Sequence, residues 1–268
     1  MGKDKKRRFE AAVEKELNVV RRQESAMLRA ALKAEIPRWK QALTDKVPDK
    51  VYENLCKAFC KAFAVIFEKG TGIIEKTYNR EAIQADCEIR NFGLRVKADR
   101  KSLRKVRTDA GRINLRNMAV TSVEGIGLGV LGIGLPDIVL FVGVLLKGIY
   151  EVALQYGFDY DSREERYFIL KLMETSMRRG TDREMAEEEI DRMIEDDDFG
   201  KQGDIESQIE RTADAFAVDM VLLKFIQGLP VAGVIGGIGN PVYYRRVVRY
   251  AEVKYRKRYL LGWRKQAF

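Results

Sequence analysis

Residues Gly125 to Leu146 read GIGLGVLGIGLPDIVLFVGVLL, a run with six glycines and a single charge, Asp137. Glycine lets backbones approach closely, so two apolar helices meeting at Leu135-Pro136 would pack tightly together. Asp137 falls in the first turn after Pro136, where a carboxylate favours the helix dipole. A second small, apolar, glycine-rich run, Gly228 to Gly239, lies near the C-terminus, and no segment alternates apolar and polar residues like a strand. The pattern predicts an all-α fold, a single compact helical domain of about ten helices around a glycine-rich apolar helical hairpin, with the two glycine runs packed centrally. Gly127-x-Gly129-x-x-Gly132 matches the dinucleotide fingerprint as text, but no strand feeds it, so close helix packing accounts for it better.

On the N-terminal side, Phe9, Val13, Leu17 and Val20 recur at helical spacing among charges, which predicts a polar surface helix over Lys3 to Lys33 docked by one face. Val47-Pro48-Asp49 opens a helix through Tyr52, Leu55, Phe59, Phe63 and Phe67, and Gly70-Thr71-Gly72 is expected to break it. From Arg90 to Arg116 the chain is strongly basic, without the interleaved aromatics of single-stranded nucleic-acid platforms. That run is either a solvated helix face or a surface for a phosphate-rich partner.

Toward the C-terminus, Ser162-Arg163-Glu164-Glu165 has capping-box spacing, and Thr181-Asp182-Arg183-Glu184 repeats it. The second opens an acidic helix ending in Glu195-Asp196-Asp197-Asp198, whose charges are expected to attract the flanking basic stretches. Asn240-Pro241 starts a last helix, with Tyr244, Val248, Ala251, Tyr255 and Tyr259 on one face. Arg245, Arg249, Arg256 and Lys257 are the candidate surface for an anionic partner on that helix. They suit a membrane interface and equally suit docking on the acidic Asp182 to Asp198 stretch.

Composition bounds the chemistry. The net charge is +9 with a pI near 9.3, which permits attraction to nucleic acid or anionic lipid. No histidine occurs, so Ser-His and Cys-His nucleophiles and histidine zinc sites are excluded. The three cysteines, Cys56, Cys60 and Cys87, read as packing thiols in a reducing compartment. Nothing at the N-terminus resembles a secretory signal. Among the acids near apolar segments, Asp219 within Ala217 to Leu223 stands out, and Asp137 and Asp219 are the speculative functional pair. No catalytic, cofactor-binding or metal residue is assigned. A spanning helix needs ~20 apolar residues, and Gly125 to Leu146 reaches that length only by taking Pro136 and Asp137 into its middle.

Three elements together resemble the EcsC family: Gly134-Leu135-Pro136-Asp137, then Tyr156-Gly157-Phe158-Asp159 with Glu164-Glu165-Arg166, then Leu229-Pro230-Val231-Ala232-Gly233 with Gly239-Asn240-Pro241, Tyr244 and a basic helix ending near Arg258-Tyr259-Leu260. The resemblance covers roughly Leu28 to Leu261. It implies a helical fold and a link to membrane transport, since the family takes its name from a gene neighbouring an ABC transporter. It implies no reaction. On this reading residues 1–27 form a polar helical extension, 28–261 the family domain and 262–268 a basic tail. The expected function is a non-enzymatic, peripherally membrane-associated or lipid-handling accessory protein, cytoplasmic or at the inner face of the membrane. Its expected partner is anionic membrane lipid or a membrane protein, with a small apolar ligand as a further option and nucleic acid disfavoured. The alternative is a carboxylate-dependent hydrolase or a hydrophobic small-molecule binder using Asp137 and Asp219.

Overall fold

An apolar stripe among charges gives α1 (Lys3–Lys33) one buried face, made by Phe9, Ala12, Val13, Leu17 and Val20. The computed structural model describes residues 3–33, 49–108, 136–199, 203–226 and 241–266. The first arm of the expected glycine hairpin, residues 125–135, and the second glycine-rich run lie outside these residues, so the central packing of the two runs does too. Helix α2 (Asp49–Val65) does not stop at the expected glycines: it passes through a π turn, Ile66–Gly70, into the short α3 (Thr71–Glu75). Open space beside Gly72 leaves nothing there to force a break.

Asn79 caps α4 (Arg80–Lys97) by accepting from the Ala82 N–H at 2.8 Å, and Ala98 closes it in the left-handed conformation. Asp99 then accepts from the Ser102 N–H at 2.7 Å and starts α5, residues 100–108. The remaining helices are α6 (Pro136–Gln155), α7 (Arg163–Met177), α8 (Gly180–Asp196), α9 (Ile205–Ile226) and α10 (Pro241–Gln266). Half of the expected capping box at α7 is made, Ser162 Oγ accepting from the Glu165 N–H at 3.1 Å. The second box is not, because α8 starts earlier, at Gly180, with Arg179 as its first flanking residue and no side-chain cap. All described elements are helical, and no strand occurs among the described residues.

Helix α6 is the axis. It packs against α2, α4 and α10, while α7 packs on α8, α9 and α10, and α9 returns to α2. By length and composition α6 could cross a membrane, but 83% of its Ile138–Gln155 window is buried inside the protein. Gly148 allows its close approach to α10: a Cβ there would stand 2.7 Å from both the Tyr244 hydroxyl and a Val248 methyl. Phe59, Phe141 and Phe216 join α2, α6 and α9 in edge-on and tilted contacts with centroids 5.4–6.4 Å apart. The expected aromatic face of α10 is buried throughout, from Tyr244 to Tyr259. Helix α1 packs on α8 and α10, and its Phe9 ring meets Trp263 edge-on at 5.8 Å. Residues 3–27 and 262–266, the described parts of the stretches read above as an extension and a tail, therefore pack on the same core.

Candidate functional site

The buried charges of this protein are neutralised by its own side chains, almost site by site. Lys254 has no exposed side-chain surface, and its ammonium lies 2.7, 2.5 and 2.6 Å from Glu24, Glu187 and Asp191. Those three carboxylates have metal-ligand spacing, but the lysine ammonium already stands among them. Burial opposes the charge on Lys254, yet the Tyr250 oxygen and the Glu187, Glu24 and Asp191 carboxylates hold its pKa well above the usual lysine value. Glu16, buried on α1, takes Arg256 at 2.8 Å, Arg100 at 3.2 Å and Arg107 at 3.4 Å. Arg258 pairs with Glu165 at 2.7 Å, and its guanidinium sits 3.7–4.5 Å from the ring centroids of Phe158, Phe168 and Phe199.

These facts correct half of the expected anionic-partner surface. Arg256 and Lys257 point inward: Lys257 pairs with Asp191 at 2.8 Å and lies within 3.8 Å of Glu195, so it faces the acidic helix. Arg256 lies on the same side of α10 as Arg245 and Arg249, and the difference is the cover from α1, whose Glu16 takes Arg256; Arg245 and Arg249 are exposed and have no ion-pair partner among the described residues. The expected attraction between α10 and the acidic stretch is present at Lys254, Lys257 and Lys265, and α1 adds two acids to it, Glu16 and Glu24.

Beside these pairs a cavity opens, with four more of the paired arginines on its wall: Arg178 with Asp214 at 2.6 Å and Glu174 at 3.3 Å, Arg179 and Arg246 with Asp219, and Arg183 with Glu187. About 620 Å³ in volume, it lies among α1, α8, α10 and the junction of α7 with α8. One wall is small and apolar, Val19, Ala26, Met27, Ala30 and Ala31 of α1. The other carries Arg178, Arg179, Arg183, Arg245, Arg246 and Arg249, with Arg22 and Gln23 at the α1 side and no carboxylate in the lining. Arg178 and Arg179 reach it because α7 ends there and Gly180, at φ +57°, turns the chain into α8. Arg183 is buried, stacks 4.2 Å from the Tyr250 ring centroid and pairs with Glu187 at 3.0 Å, while its Nε has no partner. Burial pushes the Tyr250 phenol far above its ordinary range, so it is a neutral donor to Glu187 at 2.9 Å.

Asp219 organises this wall from behind. Almost fully buried, it takes Arg179 at 2.5 Å on one oxygen and Arg246 at 3.0 Å on the other. One carboxylate for two guanidiniums leaves a positive excess on the cavity side. Both of its oxygens are already engaged, which suits an anchor. The side chain of Asp137 lies outside the described residues, and with it the proposed pair. Cys56, Cys60 and Cys87 are free, and burial raises all three thiols above their usual value.

The family model of the EcsC protein family matches residues 11–260. The chain belongs to the EcsC family. The match begins inside α1, so this EcsC-family chain includes in its domain most of the helix that sequence reading set apart. No curated protein and no solved structure matches it. Of the cavity arginines, sequence reading singled out Arg245 and Arg249; Arg22, Arg178, Arg179 and Arg183 come from three other segments. The adjacent pair before Gly180 was the one local signal available for them.

Proposed function

We propose that this protein is a non-enzymatic, membrane-peripheral lipid-handling protein whose arginine cavity holds an anionic amphiphile. The observation that carries the reading is the cavity's two-sided lining: on one wall six guanidiniums, Arg245 and Arg249 without an ion-pair partner among the described residues and the other four paired with carboxylates that do not line the cavity, and on the other wall small apolar side chains. Arginine forks match the oxygens of phosphate and carboxylate in bidentate geometry. A methylene chain gains by leaving water for the Ala26, Met27, Ala30 and Ala31 surface. The cavity volume lies within the ordinary range for small-molecule sites, roughly 300–1,000 Å³.

Native mass spectrometry of the delipidated protein, titrated with dioleoyl phosphatidic acid and with dioleoylglycerol, tests the reading. The acid should bind and the neutral lipid should bind at least about tenfold more weakly, a difference of about 1.4 kcal/mol. Arg245→Gln with Arg249→Gln should reduce the acid to the level of the neutral lipid. Equal binding of the two lipids, or undiminished binding by the double variant, would remove the basis for a headgroup site.

A further inference from the structure

Six large hydrophobic side chains are prominently exposed among the described residues, and three of them lie on α4. Ile89, Phe92 and Val96 are 69, 68 and 53% exposed. Their i, i+3, i+7 spacing puts them on one face, which Ala82 and Ala85, also exposed, continue toward the start of the helix. Nothing lies within 4 Å of a Cβ placed on Gly93, so the surface beside Phe92 is open. The other three, Met185, Val218 and Val242, are scattered over three helices. A contiguous ridge of this kind, where the other exposed large apolar side chains among the described residues stand singly, marks an interaction surface.

Charge indicates the partner. The Lys5 ammonium donates to the Val96 carbonyl at 2.7 Å, which fixes the basic start of α1 against the C-terminal end of the ridge. Lys97 follows in the last turn of α4, and past the left-handed turn at Ala98, α5 exposes Lys101, Arg104 and Lys105. None of these four has an ion-pair partner among the described residues. The acids of α4, Glu81, Asp86 and Glu88, occupy its first half. An apolar ridge whose end is ringed by lysine and arginine has the make-up of an interfacial helix on an anionic bilayer: rings and methyls enter the headgroup boundary while cations meet phosphates.

We infer that the C-terminal half of α4 docks the protein on an anionic bilayer, with Phe92 and Ile89 inserted at headgroup depth. The inference stands on different side chains from the cavity, and the two fail separately. Vesicle cosedimentation of the full chain tests it, comparing phosphatidylcholine vesicles with phosphatidylcholine–phosphatidylglycerol vesicles at low and high salt. Wild type should bind the anionic vesicles and be released by salt. Ile89→Asp with Phe92→Asp, at exposed positions that leave the melting curve unchanged, should weaken binding about tenfold or more. Lys101→Gln, Arg104→Gln and Lys105→Gln together should weaken it and flatten the salt dependence, whereas Met185→Asp, at an exposed apolar side chain away from the ridge and the cavity, should leave it intact. Undiminished binding by the Asp variant overturns the inference. So does a wild-type dimer, seen by light scattering, that the Asp variant dissociates without any loss of lipid binding, because the ridge would then be a self-association face.

Discussion

The two halves of α10 carry the same residue types and have opposite surroundings. In the second half, Lys254, Arg256, Lys257 and Arg258 are sunk among Glu16, Glu24, Glu165, Glu187 and Asp191, and each cation has a carboxylate within 2.8 Å. In the first half, Arg245 and Arg249 face a cavity that no carboxylate lines. A buried cation surrounded by acids is structural, since leaving it uncompensated would cost several kcal/mol. A cluster of guanidiniums with an apolar wall opposite is, on the function proposed above, where an anion from elsewhere would bind. Basic residues on a helix thus say nothing about partners until their neighbours are known.

The comparison breaks most visibly at Lys254. Lys254→Met removes one cation from three carboxylates and should destabilise the protein by about 3–5 kcal/mol, read as a fall in the urea midpoint. Adding Glu187→Gln and Asp191→Asn should recover much of that loss, because the leftover repulsion is what the single change exposes. If Lys254→Met melts like wild type, the second half of α10 is not held by its ion pairs.

Acid sharpens the same contrast with a smaller effect. Burial opposes ionisation of Asp191, but Lys254 and Lys257 outweigh it and hold its carboxyl below the usual range. Glu174 is also depressed: against burial, the Gln208 amide, Lys171 and Arg211 favour its charged form. A depressed folded-state pKa contributes stability that is present above the unfolded value and lost as pH falls through the folded one. Stability measured by urea should therefore be flat from neutral pH down to about pH 5 and drop below about pH 4, where carboxylates titrate. Asp191→Asn should shallow that drop, and an unchanged acid profile in this variant would remove Asp191 from the account.

The smallest expected effect is at the other half of the helix. Arg245→Gln with Arg249→Gln should change stability by no more than about 0.5 kcal/mol, as for exposed sites without partners. Equality of this variant with Lys254→Met in a melting experiment would erase the distinction between the two halves.

Much of this architecture was legible in residue order. The i, i+4 stripe from Phe9 to Val20 and the tyrosine face of α10 predicted buried sides that the structure has, since a periodic apolar face has no other stable place to go. Breaks were less legible. The glycines at 70 and 72 lie in continuous helix because glycine costs a helix only about 1 kcal/mol, which packing overrides. Asp219 was singled out for its apolar flanks, yet its partners Arg179 and Arg246 come from 40 residues before it and 27 after, a convergence no spacing rule reports.

By itself, then, the sequence determined the helical class, the missing imidazole chemistry, the buried faces and the EcsC family. Periodicity, residue type and motif order are local properties, written along the chain. Which arginines are neutralised and which remain available was decided only by tertiary structure, because ion pairing falls off within a few ångströms. The acids that silence Arg256 and Lys254 lie up to 240 residues away on α1.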